Sequence, residues 1–244
     1  MLRKDFYNLL VCPYCRLSFQ QSLDSLFCCR CKRSFKIKND IPFIVPDKFR
    51  LFQEKEKKRI KRAGSWSKLF VYKKKQAKTL PNKIILDIGC GESNEGTIGL
   101  DVYIPQKIPA NFIVGSAELL PFADNSVDVV RNSYVIEHLL NPSDFILNCL
   151  RIARERVVII TDNSDWIGEV FMRLIGAGRI FHNEHMYKWS EEYMNNLIKK
   201  LKLNGEAKVL NLSQNPLVTI PALFGKLPRI GKIFYRDLMV KITK

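Results

Sequence analysis

Long apolar runs are absent from this 244-residue sequence, and histidine is scarce. No stretch of about 18 uncharged apolar residues exists, so the sequence predicts no membrane-spanning helix. The first five residues, Met-Leu-Arg-Lys-Asp, do not begin the apolar segment of a signal peptide. Together these absences predict a cytoplasmic protein, in which thiols stay reduced. An apolar content of 46% is nevertheless enough for a packed core.

The net charge of +16 is concentrated in the first third of the chain. Residues 1–46 hold eight Lys/Arg and three acidic residues, and residues 48–78 hold thirteen and two. Residues 79–244 are close to neutral, with nineteen and eighteen. Three interpretations of the basic segment stay open: a solvated linker helix, a phosphate-binding surface whose aromatic residues stack on RNA bases, or contact with an anionic membrane surface.

Seven cysteines are present, and four of them have the spacing of a metal site. Cys12 and Cys15 form one C-x2-C pair, and Cys28 and Cys31 form a second pair after twelve residues. Four thiolates presented by two tight turns suit the tetrahedral preference of Zn2+. The sequence therefore predicts a structural zinc ion in preference to disulfides. Because Cys29 is next to Cys28, either of the two is a candidate ligand.

Residues 84–101 contain the stretch around which the chain is organised. Apolar residues 84–88 surround Asp87 and predict a buried strand that ends in Gly89-Cys90-Gly91. A second short apolar run ends in Asp101. Parallel strands that bring a glycine turn and a carboxylate to one edge form a nucleoside crevice. A dinucleotide site is disfavoured, because position 94 is Asn and Asp101 follows Gly91 by only ten residues.

Four ordered motifs between residues 83 and 162 resemble class I S-adenosylmethionine (SAM) methyltransferases of the type-11 branch. They are the glycine turn with its acids, the loop Gly-Ser-Ala-Glu-Leu-Leu-Pro-Phe at 115–122, Ser-Val-Asp-Val-Val at 126–130, and Glu-His-Leu at 137–139. The resemblance implies an α/β, Rossmann-like, seven-stranded sheet that binds SAM. It implies that Asp87 orients the amino-acid end of SAM, that Asp101 binds the ribose and that the 115–118 loop lies against the adenine. The implied cofactor-binding residues are Asp87, Gly89, Cys90, Gly91, Asp101, Val102, Ser116, Ala117, Glu118, Asn132 and Ser133.

The N-terminal segment resembles the small Trm112-like zinc domain, which occurs as a methyltransferase activator or fused to a methyltransferase. The resemblance covers the two cysteine pairs and the stretch 35–44, with Asn39-Asp40 at the position of the family's loop glycine. Two roles stay open: a metal-stabilised cap that docks on the catalytic domain, and a surface that contacts RNA. The predicted division is a zinc module at 1–46, a basic helical connector at 47–80 and a methyltransferase domain at 81–244.

The pattern of the catalytic domain departs from its family at one point. Only six residues separate Gly91 from Ile98, too few for the usual first helix, so the sequence predicts a loop there. Helices are predicted at 142–154 and, with Ser190 as the N-cap, at 191–201. Further strands are predicted at 111–114, 127–130, 157–160, 207–212 and 238–242, the last two forming a hairpin.

The methyl acceptor is the least constrained prediction. His138, Tyr134 and Asn132 are candidate catalytic or pocket residues, with His138 as a general base if the acceptor must lose a proton. The His-Asn-Glu-His sequence at 182–185 lacks metalloprotease spacing and predicts no second metal. Three functions stay open: methylation of RNA, methylation of a small or lipidic acceptor, and a non-catalytic binding protein that keeps the SAM fold.

Overall fold

A computed structural model describes residues 2–45, 82–92, 94–168, 185–210, 212 and 231–244. The predicted basic connector and His182 lie outside these residues. Strands in the described part form one mixed sheet in the order β1-β2-β3-β4-β7-β6-β5-β8-β9-β11-β10. In chain order they are β1 (Gln20–Gln21), β2 (Ser25–Cys28), β3 (Arg33–Lys38), β4 (Ile41–Ile44), β5 (Ile85–Ile88), β6 (Ile98–Asp101), β7 (Phe112–Gly115), β8 (Val127–Ser133), β9 (Ala153–Asp162), β10 (Asn204–Leu210) and β11 (Asp237–Thr243).

Strands β5 to β11 supply the seven strands that the sequence predicts. β7, β6, β5, β8 and β9 are parallel, and β11 runs antiparallel to both β9 and β10. The strand order reverses at β5, which lies between β6 and β8. Ligands of open α/β sheets bind at such a reversal, beyond the carboxyl ends of the strands.

Two of the described helices lie where the sequence predicts helices, although the one predicted at 142–154 ends at Ile152 because β9 begins at Ala153. The described helices are α1 (Lys4–Tyr7), α2 (Pro142–Ile152) and α3 (Glu191–Lys200), with short 3-10 helices at Ile136–His138 and Gly231–Phe234. The buried face of α2 includes Phe145, Ile146 and Cys149. Helix α3 begins as predicted, because the Ser190 hydroxyl accepts the Tyr193 N–H at 3.2 Å.

Two strands are longer than the sequence indicates. β8 continues beyond residue 130 to Ser133, and β9 covers 153–162 rather than 157–160. The extra length of β9 follows from its two partners: Ala153 pairs with Val127 of β8, and Arg156 to Asp162 pair with β11. The extension of β8 carries Asn132 and Ser133 to the end of a buried strand.

The N-terminal strands continue the main sheet, which the sequence does not predict. β4 pairs in parallel with β7, with Phe43 opposite Val114 and Ile44 opposite Gly115. A second junction joins residues 9–11 to 121–123: the Val11 N–H donates to the Pro121 carbonyl at 3.0 Å. Apolar residues of both parts belong to one buried cluster. The boundary near residue 46 stays a prediction, but the sheet and core extend across both parts.

Candidate functional site

The glycine turn after β5 lies against the end of β6. Gly89 and Gly91 have φ angles of +68° and +54°, a region that favours glycine. The Gly89 N–H donates to the Leu100 carbonyl at 2.7 Å. A methyl group added at Gly89 would lie 2.3 Å from Cγ2 of Val135, whereas one added at Gly91 would meet no atom within 4 Å. Gly91 therefore borders open space, where a ligand has room to approach the backbone.

Asp101 ties the end of β6 to this turn. Its carboxylate accepts the Gly91 N–H at 2.9 Å and the Tyr103 N–H at 3.0 Å. Burial raises the pKa of Asp101, although these N–H groups oppose the rise. The predicted pair of glycine turn and carboxylate is thus brought together. Cys90 is buried under the turn, and Val102 follows Asp101 in a half-buried position.

Asp87 is placed at the end of β5 and contacts protein groups. Its side chain is buried, accepts the Glu95 N–H at 2.8 Å and lies 3.6 Å from Nε of Arg131. Arg131 also forms an ion pair with Glu95. These contacts anchor the loop that replaces the first helix. Arg131 and Glu95 have no motif of their own, so sequence reasoning missed both.

The loop after β7 lies beside the same crevice edge. Ser116 is buried, and its hydroxyl accepts the Glu118 N–H at 3.2 Å. The Glu118 carboxylate accepts the Leu140 N–H at 3.2 Å, which joins this loop to the segment after β8. Ala117 is half-buried between them. The predicted adenine loop is therefore an ordered turn with a fixed conformation.

Asn132 and Ser133 present buried polar atoms that have no partner in the described part of the chain. Asn132 lies opposite Ile88 of β5 and is fully buried, yet neither atom of its amide group makes a hydrogen bond. The Ser133 hydroxyl is also without one. Unsatisfied buried polar groups cost about 1–3 kcal/mol each, so their presence at the end of a strand points to a ligand.

Tyr134 and His138 occupy different environments. The Tyr134 hydroxyl donates to the buried carboxylate of Asp237 at 2.6 Å, which commits it to a partner on β11. His138 is exposed, and its ring packs edge-on against His185 with centroids 4.8 Å apart. Glu137, which directly precedes His138 in the sequence, is buried. Desolvation together with the nearby Asp162 raises the pKa of Glu137 to about 8.

An open cleft of about 540 Å³ lies between the start of α2 and residues 187–197. The rings of Tyr187 and Trp189 stack at 5.6 Å on one wall. Leu140, Asn141 and the first turn of α2 form the other wall. The Tyr187 hydroxyl donates to the Leu140 carbonyl at 3.0 Å, which holds the two walls together.

Cys12, Cys15, Cys28 and Cys31 come together as predicted, and Cys29 is not part of the group. The four sulfur atoms lie within 4.8 Å of one another. Tetrahedral Zn–S bonds of about 2.3 Å require sulfur separations of about 3.8 Å, so the cluster fits zinc. Burial by itself raises the pKa of Cys28. Hydrogen bonds from the Cys31 and Arg30 N–H groups and from the Cys15 thiol outweigh that effect and lower the pKa to about 7. The seven cysteines, all among the described residues, form no disulfide.

Residues 99–161 match a sequence family described as a methyltransferase domain. A protein described as an uncharacterised methyltransferase of Mycobacterium marinum is 35% identical over 60 residues, which are 25% of this chain and 24% of that protein. The chain thus aligns with about a quarter of the length of this curated relative.

The order and directions of β5 to β11 confirm the predicted Rossmann-like α/β fold.

Two solved structures each match over 81% of this chain. One is a complex between the Trm112 methyltransferase activator of Haloferax volcanii and a methyltransferase, with 14% identity, 96% of that chain covered and a TM-score of 0.48. The other is a SAM-dependent methyltransferase of Archaeoglobus fulgidus, with 18% identity, full coverage (100%) and a TM-score of 0.47. In the described residues no helix is long and apolar enough to cross a membrane. The cytoplasmic location stays a prediction.

Proposed function

We propose that this chain, whose residues 99–161 belong to a methyltransferase-domain family, transfers a methyl group from SAM to an RNA acceptor. One observation carries the cofactor assignment: the 2.9 Å hydrogen bond that joins Gly91 to Asp101 where the strand order reverses. Unpartnered atoms of Asn132 and Ser133 at the end of β8 add ligand-binding groups. The residues proposed to form the SAM site, by direct contact or by fixing its walls, are Asp87, Gly89, Cys90, Gly91, Asp101, Val102, Ser116, Ala117, Glu118, Asn132 and Ser133.

When bound, SAM supplies an electrophilic methyl group on a sulfonium. The chain's contribution is alignment, which is worth roughly 7–11 kcal/mol of the barrier in well-oriented systems. Gly91 leaves space for the ligand, and the Asp101 carboxylate is placed to accept hydrogen bonds from ribose hydroxyls. Asn132 offers both a donor and an acceptor. Asp87 already binds Glu95 and Arg131, so its proposed part is to fix the loop that borders the amino-acid end.

Among the three predicted catalytic residues, His138 is the exposed one. An imidazole at that position suits the transfer of a proton from the acceptor to solvent. Tyr134 is proposed to position the end of β8, because its hydroxyl is bonded to Asp237. Asn132 contacts the ligand in this proposal rather than moving a proton.

The charge distribution supports RNA as the acceptor. The segment 48–78 carries thirteen Lys/Arg against two acids, whereas residues 79–244 are nearly neutral. A concentrated positive segment in front of a neutral catalytic domain suits phosphate contacts. The four-cysteine cluster is proposed to hold a structural Zn2+ that orders the N-terminal strands on the sheet edge.

A second candidate function is methylation of a small planar acceptor. The observation that favours it is the 540 Å³ cleft with its stacked Tyr187 and Trp189 rings. Aromatic walls of this kind bind planar apolar molecules through stacking and area burial.

Incubation of the zinc-loaded protein with methyl-labelled SAM and fractionated cell extract separates these proposals. Label in RNA supports the first, and label in small organic molecules supports the second. Asp101→Asn should abolish labelling. Asp124→Asn is the matched control, because Asp124 is exposed just before β8, at the opposite end of that strand. No label in any fraction, together with no SAM binding, would contradict both and favour a non-catalytic binding protein.

A further inference from the structure

Three metal-binding side chains lie together at the carboxyl end of β8, and none of them belongs to the cysteine cluster. A carboxylate oxygen of Glu137 and ring nitrogens of His138 and His185 lie within 4.8 Å of one another. The two imidazole rings are 4.8 Å apart at an interplanar angle of 84°. Their arrangement joins two distant parts of the chain.

Glu137 gives this cluster a second, independent feature. Its side chain is 1% exposed, and Oε2 accepts the Thr161 hydroxyl at 3.1 Å. Oε1 is buried without a hydrogen-bond partner in the described part of the chain. A buried carboxylate that is only half satisfied is costly unless a cation or a proton completes it. The two histidines next to it are the ligands that divalent transition metals prefer.

The backbone holds His185 in place beside Glu137. The Met186 and Tyr187 N–H groups both donate to the Glu137 carbonyl, at 2.8 and 3.3 Å. Residues 185–187 are thereby fixed to the 3-10 helix that carries Glu137 and His138. The spacing of residues 182–185 alone predicts no metal site. The cluster exists because the fold brings His185 next to Glu137 and His138, which follow β8.

We propose that Glu137, His138 and His185 bind a divalent first-row metal ion, with Zn2+ as the best-suited species. Two imidazoles and one carboxylate form a ligand set that leaves positions open for water or substrate. In this arrangement His138 binds the cation through a ring nitrogen, and this role replaces the general-base role proposed for His138 above. The site is independent of the cysteine cluster in both sequence and ligand type.

The consequence for catalysis rests on the proposed function. A divalent cation held by these three residues would lower the pKa of a hydroxyl group bound to it, and the proton would pass to solvent. The oxygen would then form an O–C bond as the C–S bond of SAM breaks and the sulfonium becomes a neutral thioether. The site therefore favours an acceptor that carries a hydroxyl group.

Zinc content after equilibrium dialysis of the full-length protein tests the metal site directly, without any methyl transfer. We expect two zinc ions per wild-type chain and one in the His138→Ala/His185→Ala variant. Glu137→Gln preserves the shape of the buried side chain and should also reduce the content to one. Asp124→Asn removes an exposed carboxylate outside the cluster and should keep two.

A zinc content that is the same in the wild type, in Glu137→Gln and in the double histidine variant would overturn the proposal. Circular dichroism of each variant separates loss of a site from loss of the fold, and one retained zinc ion shows that the cysteine cluster is intact. SAM binding that is unchanged in Glu137→Gln would show that a failure here leaves the proposed cofactor site standing.

Discussion

Gly89 and Gly91 share a positive φ angle but face different surroundings. Val135 fills the space beside Gly89, while the space beside Gly91 is open. The first glycine is therefore needed for packing, and the second is proposed to leave space for the ligand. A Gly→Ala substitution therefore tests packing at position 89 and ligand binding at position 91.

Gly89→Ala should lower stability by roughly 2–5 kcal/mol, because it adds overlap with Val135 to the strain of a positive φ. Gly91→Ala should cost only about 1–2 kcal/mol of strain but should weaken SAM binding at least about tenfold, since its methyl group occupies the ligand space. Urea unfolding and equilibrium dialysis measure the two effects. Equal loss of stability in both variants, with SAM affinity retained in Gly91→Ala, would contradict the assignment.

Tyr134 is a candidate catalytic residue by sequence, but its hydrogen bond to Asp237 indicates a structural role. Tyr134→Phe removes a 2.6 Å hydrogen bond to buried Asp237 and should destabilise the fold by about 1.5–3 kcal/mol. SAM affinity and the rate of methyl transfer at saturating substrate should stay within about twofold of wild type. A large fall in kcat with unchanged stability would instead assign the hydroxyl to catalysis.

At the residue scale, local motifs predict well and long-range partners do not. The glycine turn and Asp101 belong to one continuous pattern, and the structure brings them together. Arg131 lies on β8, and only the pairing of β5 with β8 places it beside Asp87. A single sequence carries no signal for such a cross-strand ion pair.

At the scale of elements, β4 connects the N-terminal strands to the edge where we propose that SAM binds. It pairs with β7 up to Gly115, the first residue of the predicted adenine loop. The chain from β3 to β4 also adds strands to an edge that would otherwise expose β7. We therefore expect order in the N-terminal strands to affect this loop through the pairing of β4 with β7 and through the junction of residues 9–11 with 121–123.

Loss of the metal should destabilise the sheet edge as well as the N-terminal strands. Cys12→Ser removes one predicted ligand and should lower stability by at least about 3 kcal/mol, or roughly 6–12 °C in Tm, with weaker SAM binding. Cys29→Ser is the matched control, since Cys29 lies outside the cluster, and should leave both unchanged. Calorimetric unfolding with and without a chelator measures the effect. A metal-free chain that keeps its Tm and its SAM affinity would contradict the coupling.

The sequence predicts the elements of the catalytic domain but not this junction. Apolar alternation and Ser190 place β8, α2 and α3 to within a few residues. The pairing of β4 with β7 depends on a strand of four residues, Ile41–Ile44, whose partner lies far along the chain. Such a short strand has no local feature that selects its neighbour.

At the scale of the whole molecule, positive charge is concentrated in the segment before the catalytic domain. Thirteen basic residues lie in 48–78, and the domain that follows has a near-zero balance. For single-stranded RNA the slope of log K against log salt is about −0.7 per phosphate contact. The segment is therefore expected to control the salt dependence of RNA binding.

Neutralisation of Lys57, Lys58, Arg59, Lys61 and Arg62 to glutamine should flatten that slope by up to about 3.5 and weaken RNA binding at low salt. The matched control changes five lysines of the catalytic domain, Lys199, Lys200, Lys202, Lys208 and Lys241, to glutamine, and should leave the slope nearly unchanged. Fluorescence anisotropy with a labelled single-stranded RNA over a salt series provides the measurement. Equal effects of the two variants would show that net charge alone determines binding.

The proposed function depends on SAM occupying the crevice that Gly91 and Asp101 border. Isothermal titration calorimetry of the zinc-loaded protein with SAM, and with its demethylated product, tests this most directly. We predict one binding event per chain for both compounds and its loss in Asp101→Ala, with binding retained in Asp124→Asn. Absence of binding heat in the folded wild-type protein, or unchanged binding in Asp101→Ala, would contradict the account.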